Sequence, residues 1–150
     1  MASSRRRYNE LVRALVGGGY RLTPQREAVL RVLAGATEHP GAEQIYTQAR
    51  QRCRSTSRAT VYNTVSVLKQ LGEIEELELA GTGHHYGAHM PAHDAHSVCT
   101  RCGRIDDYER TELSAALDAA AAASDYRVTS RRLYFYGECP TCREQVDHPE

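Results

Sequence analysis

The chain has 150 residues, 41% apolar and 25% charged, with no Trp and a single Phe, Phe135, an ordinary soluble composition with room for one or two small domains. No apolar run nears the roughly 20 residues that span a bilayer, and Met1 to Arg7 lacks the apolar stretch and cleavage site of a secretory signal, so membrane, collagen-like and disordered classes are excluded and a cytoplasmic protein is expected. The zero net charge conceals a split, with 12 Lys/Arg against 4 Asp/Glu in residues 1–72 and 7 against 15 in residues 73–150, which points to two units of which the basic one has the electrostatic footprint of a nucleic-acid binder.

Arg5 to Val16 reads as a helix with Leu11, Val12, Leu15 and Val16 on one side, ended by Gly17, Gly18 and Gly19. Thr23 and Pro24 supply an N-cap and a proline at the first helical position. The helix they open runs to about Ala34, with Ala28, Val29, Val32 and Leu33 inward. His39-Pro40 breaks the chain, Gly41 to Arg52 gives a third helix carrying Ile45, Tyr46 and Ala49, and Ser57 caps a fourth, Arg58 to Leu71, that stops at Gly72. On this fourth helix Val61, Val65, Leu68 and Leu71 make an apolar stripe. Its other face presents Arg58, Tyr62, Asn63, Ser66 and Lys69, hydrogen-bonding and cationic groups with no carboxylate among them. A helix of that kind can enter the major groove of DNA. A hairpin follows: Glu73 to Leu79, the turn Ala80 to Gly83, then His84 to Tyr86. The half reads as a winged helix-turn-helix.

In the acidic half, Ser97-Val98 and Arg104 to Tyr108 read as strands, Thr111 caps an alanine-rich helix to about Ser124, and Val128 to Tyr136 reads as a strand. Cys99-Thr-Arg-Cys102 and Cys139-Pro-Thr-Cys142 are two CxxC pairs 36 residues apart, while Cys53 stands alone as a buried small residue or incidental thiol. Stable disulfides are rare in the cytosol, so paired CxxC units point to metal or redox chemistry. Each knuckle offers half a tetrahedron of thiolates, and two complete a closed four-cysteine site, the pattern of structural zinc. A redox CxxC needs to open a helix, and neither pair reads that way. The expected architecture is α+β: a winged helix-turn-helix over residues 1–86, then a small αβ unit over 87–150 with a four-cysteine zinc site. So small a unit gains its missing burial by dimerising. Between wing and first knuckle lie His84, His85, His89, His93, Asp94 and His96, donors that suit iron, manganese, nickel or zinc.

Tyr20 to Arg26 (YRLTPQR), Glu38-His39-Pro40, Ala59 to Tyr62 (ATVY) and the two CxxC pairs, in this order over nearly the whole chain, resemble the ferric uptake regulator (Fur) superfamily. The resemblance implies a homodimeric, metal-responsive transcription factor on double-stranded, palindromic DNA, with zinc at the cysteine knuckles and a second divalent metal near the domain hinge. Residue by residue, it gives His39 as the ligand from the DNA-binding domain and His96, three before Cys99, as the second histidine of a His-x-His pair whose first place holds Asp94. Asp107, five after Cys102, is the closing carboxylate. A further carboxylate, expected after the aromatic that is here Tyr86, is replaced by Gly87, and His89, two residues on and on the same side of a strand, would substitute. His93 matches a ligand of another family site, whose distant histidine partner is Arg131 here. Arg21 matches a basic residue that reaches the minor groove; with Arg58 on phosphate, Tyr62 on base edges and Asn63, it forms the expected DNA-binding set.

The reading that follows is a repressor of metal-uptake or homeostasis genes, not an enzyme, with structural Zn2+ and a regulatory metal that bridges the domains as corepressor. Fe2+ or Mn2+ is expected there, ahead of Zn2+ or Ni2+. The alternative is a peroxide-sensing repressor using bound iron, since Asn63 and Asp107 resemble that branch while Asp94 and Gly87 depart from it. A zinc hydrolase built on the histidines lacks HExxH or a comparable pattern.

Overall fold

Capping chemistry sets the first boundaries. Thr23 accepts a hydrogen bond from the Arg26 amide and Pro24 opens a helix that runs to Gly35, while Ser57 does the same for Thr60 at the head of the helix Arg58–Gln70. The computed structural model of the protein describes residues 2–79, 83–88, 95–108, 110–129 and 131–147. The chain divides into two compact units, Met1–Ala92 and His93–Glu150. Among the described residues no helix is long and apolar enough to cross a membrane.

The first unit has four helices, α1 (Ala2–Gly17), α2 (Pro24–Gly35), α3 (Ala42–Arg52) and α4 (Arg58–Gln70), and a hairpin of β1 (Glu75–Leu79) and β2 (Gly83–Gly87). One core joins them: Leu11 and Leu15 of α1, Leu30 and Leu33 of α2, Ile45 of α3 and Leu68 of α4 are all within 1% of full burial. Helix α4 buries Val61, Thr64, Val65, Val67 and Leu68, the expected stripe widened by two residues, with Leu71 half-buried as its C-cap. The expected free face is exposed throughout. Helix α1 starts earlier than its apolar pattern implies, and Val16 is 54% exposed rather than inward, because it lies one residue past the Leu11–Leu15 ridge. Arg7, itself buried, donates to the backbone carbonyls of Ala88 and Glu73 and pairs with the Glu73 carboxylate, fastening α1 to the open end of the hairpin.

The chain between α2 and α3 lies against the second strand. The Tyr86 amide donates to the Pro40 carbonyl at 3.0 Å, Gly41 bridges to His85, and the His85 ring lies 3.0 Å from the His39 carbonyl oxygen. Within the hairpin, Leu79 pairs with Gly83 and Glu75 with Gly87. Of the expected turn residues, Ala80, Gly81 and Thr82 lie outside the described residues.

The second unit holds β3 (Ala95–Cys99), β4 (Ile105–Asp107), α5 (Thr111–Ala122), β5 (Leu133–Gly137) and α6 (Pro140–Asp147). Its sheet runs β4-β3-β5, antiparallel on one side and parallel on the other, with α5 in the crossover. Thr111 is the first helical residue rather than the cap; Arg110 holds the cap position without a side-chain bond. The strand expected from Val128 begins only at Leu133, where pairing with Ala95 starts. Helix α6 has no counterpart in the expected elements, since its eight residues carry little apolar pattern.

Candidate functional site

The cysteines are brought together by the ends of two neighbouring strands. Cys99 closes β3, the chain turns at Gly103 with φ +75°, where a side chain would be strained, and the Gly103 amide donates back to the Cys99 carbonyl at 2.9 Å. The Thr100 amide donates to the Gly137 carbonyl at 2.8 Å, which holds the first knuckle against the end of β5, where Cys139 follows. All four sulfurs lie within 4.8 Å of one another. The Cys139 amide donates to the Cys99 sulfur at 3.3 Å, and amides of Cys102 and Cys139 pull the Cys99 thiol down to about 6. The Cys139 thiol beside it, with burial, pushes the Cys142 thiol up to about 12. Four thiolates so crowded need a cation, and a closed, soft, four-sulfur donor set fits zinc. One premise of the sequence reading changes: Cys139 immediately precedes α6 and Cys142 lies in its first turn, so this CxxC does open a helix. The redox reading that this geometry favours still loses to the zinc reading, because the other pair supplies the remaining two ligands rather than leaving the thiols to pair with each other.

In the first unit, the docking of residues 39–41 on β2 points the His39 ring at the hairpin. Its Nε2 lies 3.2 Å from the Glu75 carboxylate, and both side chains are 6% exposed. Glu75 and Gly87 are cross-strand partners, so positions 75 and 87 face the same side. A Cβ on Gly87 would stand 2.6 Å from His39 Nε2 and 3.1 Å from the Glu75 carboxylate. Glu75 is a candidate site residue that sequence reasoning missed. In the second unit, His96 and Asp107 are likewise cross-strand partners, with His96 Nε2 3.4 Å from the Asp107 carboxylate. His96 is fully buried, its ring 5.9 Å from that of Tyr134. His84 turns instead to Glu76. His89 and Asp94, with His93, lie outside the described residues.

The expected DNA-contacting residues Arg21, Arg58, Tyr62 and Asn63 are all exposed on the first unit. Tyr62 is 53% exposed, and Arg21, Arg26, Thr60 and Asn63 line a cleft of about 560 Å³, with Arg26 donating to Asn63 at 3.4 Å. Arg58 is not idle. Its guanidinium pairs with the Glu43 carboxylate at 2.8 Å and stacks 4.2 Å from the Tyr46 ring centre, and the pairing holds the Glu43 carboxyl below the usual range. Cys53 is half-buried at the edge of the core, its thiol 3.2 Å from the Ser55 hydroxyl.

Purified protein should carry one zinc per chain at the cysteines. Cys99→Ser should abolish it and loosen the second unit while leaving the helices of the first intact, as metal analysis and circular dichroism would show. A folded Cys99→Ser protein with undiminished zinc would remove the assignment.

Residues 17–136 match the ferric uptake regulator family. The peroxide-responsive repressor PerR of Staphylococcus epidermidis is 32% identical over 136 residues, covering 91% of this chain and 90% of its own. Among solved structures, a zinc-bound manganese uptake regulator superposes with a TM-score of 0.72 at 25% identity over 86% of this chain and 98% of its own. A zinc uptake regulator complexed with zinc and DNA shares the fold, with a TM-score of 0.71 at 21% identity over 97% and 99% of the two chains. The chain belongs to the ferric uptake regulator family, whose members are metal-responsive transcriptional repressors rather than enzymes.

Proposed function

We propose that this chain is a homodimeric repressor of metal-uptake or homeostasis genes that binds a palindromic duplex when a divalent metal is held jointly by its two units. His39 and Glu75 would serve from one unit, and His96 and Asp107 from the other. One observation carries this reading: each unit contains an imidazole–carboxylate pair, nitrogen to oxygen 3.2 Å in one and 3.4 Å in the other. Two donors are too few to complete a coordination shell. Two imidazoles with two carboxylates balance a dication and suit ferrous iron or manganese first, with zinc or nickel as competitors. His89 and Asp94 stand as further candidate donors.

When bound, the cation supplies a cross-link that favours one angle between the units. The residues do the rest. The 39–41 segment fixes the His39 ring against the hairpin, and that hairpin shares a core with α4, so a pull on His39 is felt by the recognition helix. In a dimer the preferred angle sets the spacing of the two α4 helices, which must match the DNA repeat of roughly 34–36 Å per turn. Metal then acts as corepressor by favouring the binding-competent population. Dimerisation is supported by α5, which buries none of its residues, and by Phe135 and Tyr136, exposed at 44% and 60%. A second copy would cover that surface. Such a repressor works in the cytoplasm.

The likeness to the staphylococcal peroxide-responsive repressor favours a second reading, in which bound ferrous iron makes the ligand histidines oxidisable. Hydrogen peroxide should then release the iron-loaded protein from DNA and leave the manganese-loaded protein bound, with an oxygen atom added to His39 or His96 by mass spectrometry. Equal resistance of both forms leaves the uptake-repressor reading alone.

Four substitutions check the main reading. His39→Ala should keep the fold, the zinc and the dimer, yet lose the tightening of operator binding by saturating manganese; an undiminished metal response would sink the joint site. On α4, Tyr62→Ala should erode operator specificity by roughly 1–3 kcal/mol, while Arg58→Ala should weaken all DNA alike. Because Glu43 competes with phosphate for Arg58, Glu43→Ala should strengthen binding to random and operator duplexes together and steepen the salt dependence. Salt-titrated binding curves on both duplexes separate these cases.

A further inference from the structure

We propose that Glu75 and Gly87 are a single exchanged element: the carboxylate donor of the first unit's half-site is delivered across the hairpin by Glu75, and position 87 is glycine because that carboxylate and the His39 ring fill the space its side chain would take. The inference rests on the metal reading above and adds to it which residue supplies the carboxylate and what keeps the place open.

Glu75 and Gly87 face each other on β1 and β2, so a side chain on either one projects to the same side. Only one can occupy the volume under His39. A Cβ on Gly87 would fall 2.6 Å from His39 Nε2 and 2.7 Å from Cδ2, both inside any tolerable contact, and 3.1 Å from the Glu75 carboxylate. Even alanine at 87 would therefore push the imidazole off its present line. Gly87 has no positive φ to explain it, so the glycine is not there for the backbone. It is there for the empty volume.

Glu75 uses that volume. The side chain is 6% exposed on a hairpin whose neighbouring residues Glu76 and Glu78 are more open to solvent. A carboxylate held out of water is costly unless it is bonded or compensated by charge. The Glu75 carboxylate lies 3.2 Å from His39 Nε2. Together the imidazole and the carboxylate would hold a dication and offset the cost of burying the carboxylate. The residue resemblance that placed a carboxylate after Tyr86 and found Gly87 is thus answered from the opposite strand, without calling on His89.

The test uses full-length protein with its cysteine site filled by zinc, and Co2+ or Mn2+ as the probe. Binding is followed by cobalt absorption and by competition with a chelating dye. Glu75→Gln, which keeps size and fold, should weaken metal binding by roughly ten- to a hundredfold, and Gly87→Ala should weaken it comparably by displacing His39. The double change Glu75→Ser with Gly87→Asp, which moves the carboxylate back to the other strand and frees the ring to yield, should bind metal more tightly than Glu75→Ser alone. Helical circular dichroism and zinc content confirm that each variant is folded. Undiminished affinity in Glu75→Gln or Gly87→Ala overturns the proposal, as does a double variant no better than Glu75→Ser. Loss in His89→Ala with none in Glu75→Gln assigns the role to His89 instead. If His39→Ala also leaves metal affinity unchanged, the joint site itself has failed; if it alone loses affinity, only the exchange has.

Discussion

The winged unit depends on a short backbone contact. The Tyr86 amide on the Pro40 carbonyl and the bridge from Gly41 to His85 lay residues 39–41 along β2 as a partial third strand. Without it the hairpin would be a two-stranded ribbon of marginal stability, and His39 would sit on a loop between helices. With it, the imidazole is aimed at the strand pair and the hairpin is tied to the helical core through Ile74, Tyr86 and Ala88. Pro40 suits this role because it lacks an amide to satisfy while its carbonyl accepts. Arg7 adds a second tie at the open end of the hairpin, donating to backbone at Glu73 and Ala88, where the two strands enter and leave.

Most of the helical unit was legible from the residues because caps and apolar stripes are local signals. Thr23, Ser57 and the stripe from Val61 to Leu68 needed no tertiary information. The four cysteines were equally readable, since two knuckles are defined by spacing alone. What stayed hidden was register. A four-residue turn from Ala80 to Gly83 pairs Leu79 with His84 and sets Glu76 opposite Gly87. The structure instead pairs Leu79 with Gly83 and Glu75 with Gly87. One residue of slip moves a side chain to the other face of a strand, so it decided whether a carboxylate reached His39 or faced solvent. Four glutamates in six residues, Glu73 to Glu78, gave no means of choosing among them. The informative signal was Gly87, a glycine in a strand, which marks a close approach of something else.

The exposed face of α4 shows a related limit. Spacing identifies which side chains are free but not what they do while waiting for a ligand. Arg58 is held by Glu43 and spread over Tyr46, partners one helix earlier in the sequence. The pair is well exposed, so its own contribution to stability is small. Its effect is on availability: an arginine that already has a carboxylate gains less from phosphate than one in water. The exposed face of α4 is therefore less cationic than the residue count of its half implies.

The second unit has the opposite problem of too little interior. Among its described residues the buried apolar set is Ala95, Val98, Cys99, Ile105 and Cys142, of which two are cysteines of the four-sulfur cluster. A unit of roughly 60 residues with so small a core is marginal without added constraint. The cluster supplies one constraint by joining the ends of β3 and β5, strands already in parallel register from Ala95 to Cys99. It cannot supply cover for α5, which lies over no buried contact of its own, nor for the aromatic side chains of β5. Alanine is the residue that such a helix needs. It favours the helix intrinsically and presents a smooth, close-packing face at little side-chain entropy cost. An alanine-rich helix beside exposed Phe135 and Tyr136 is therefore suited to pack against a second surface of the same kind. In this unit metal ligation and self-association would together do what a larger apolar core does elsewhere.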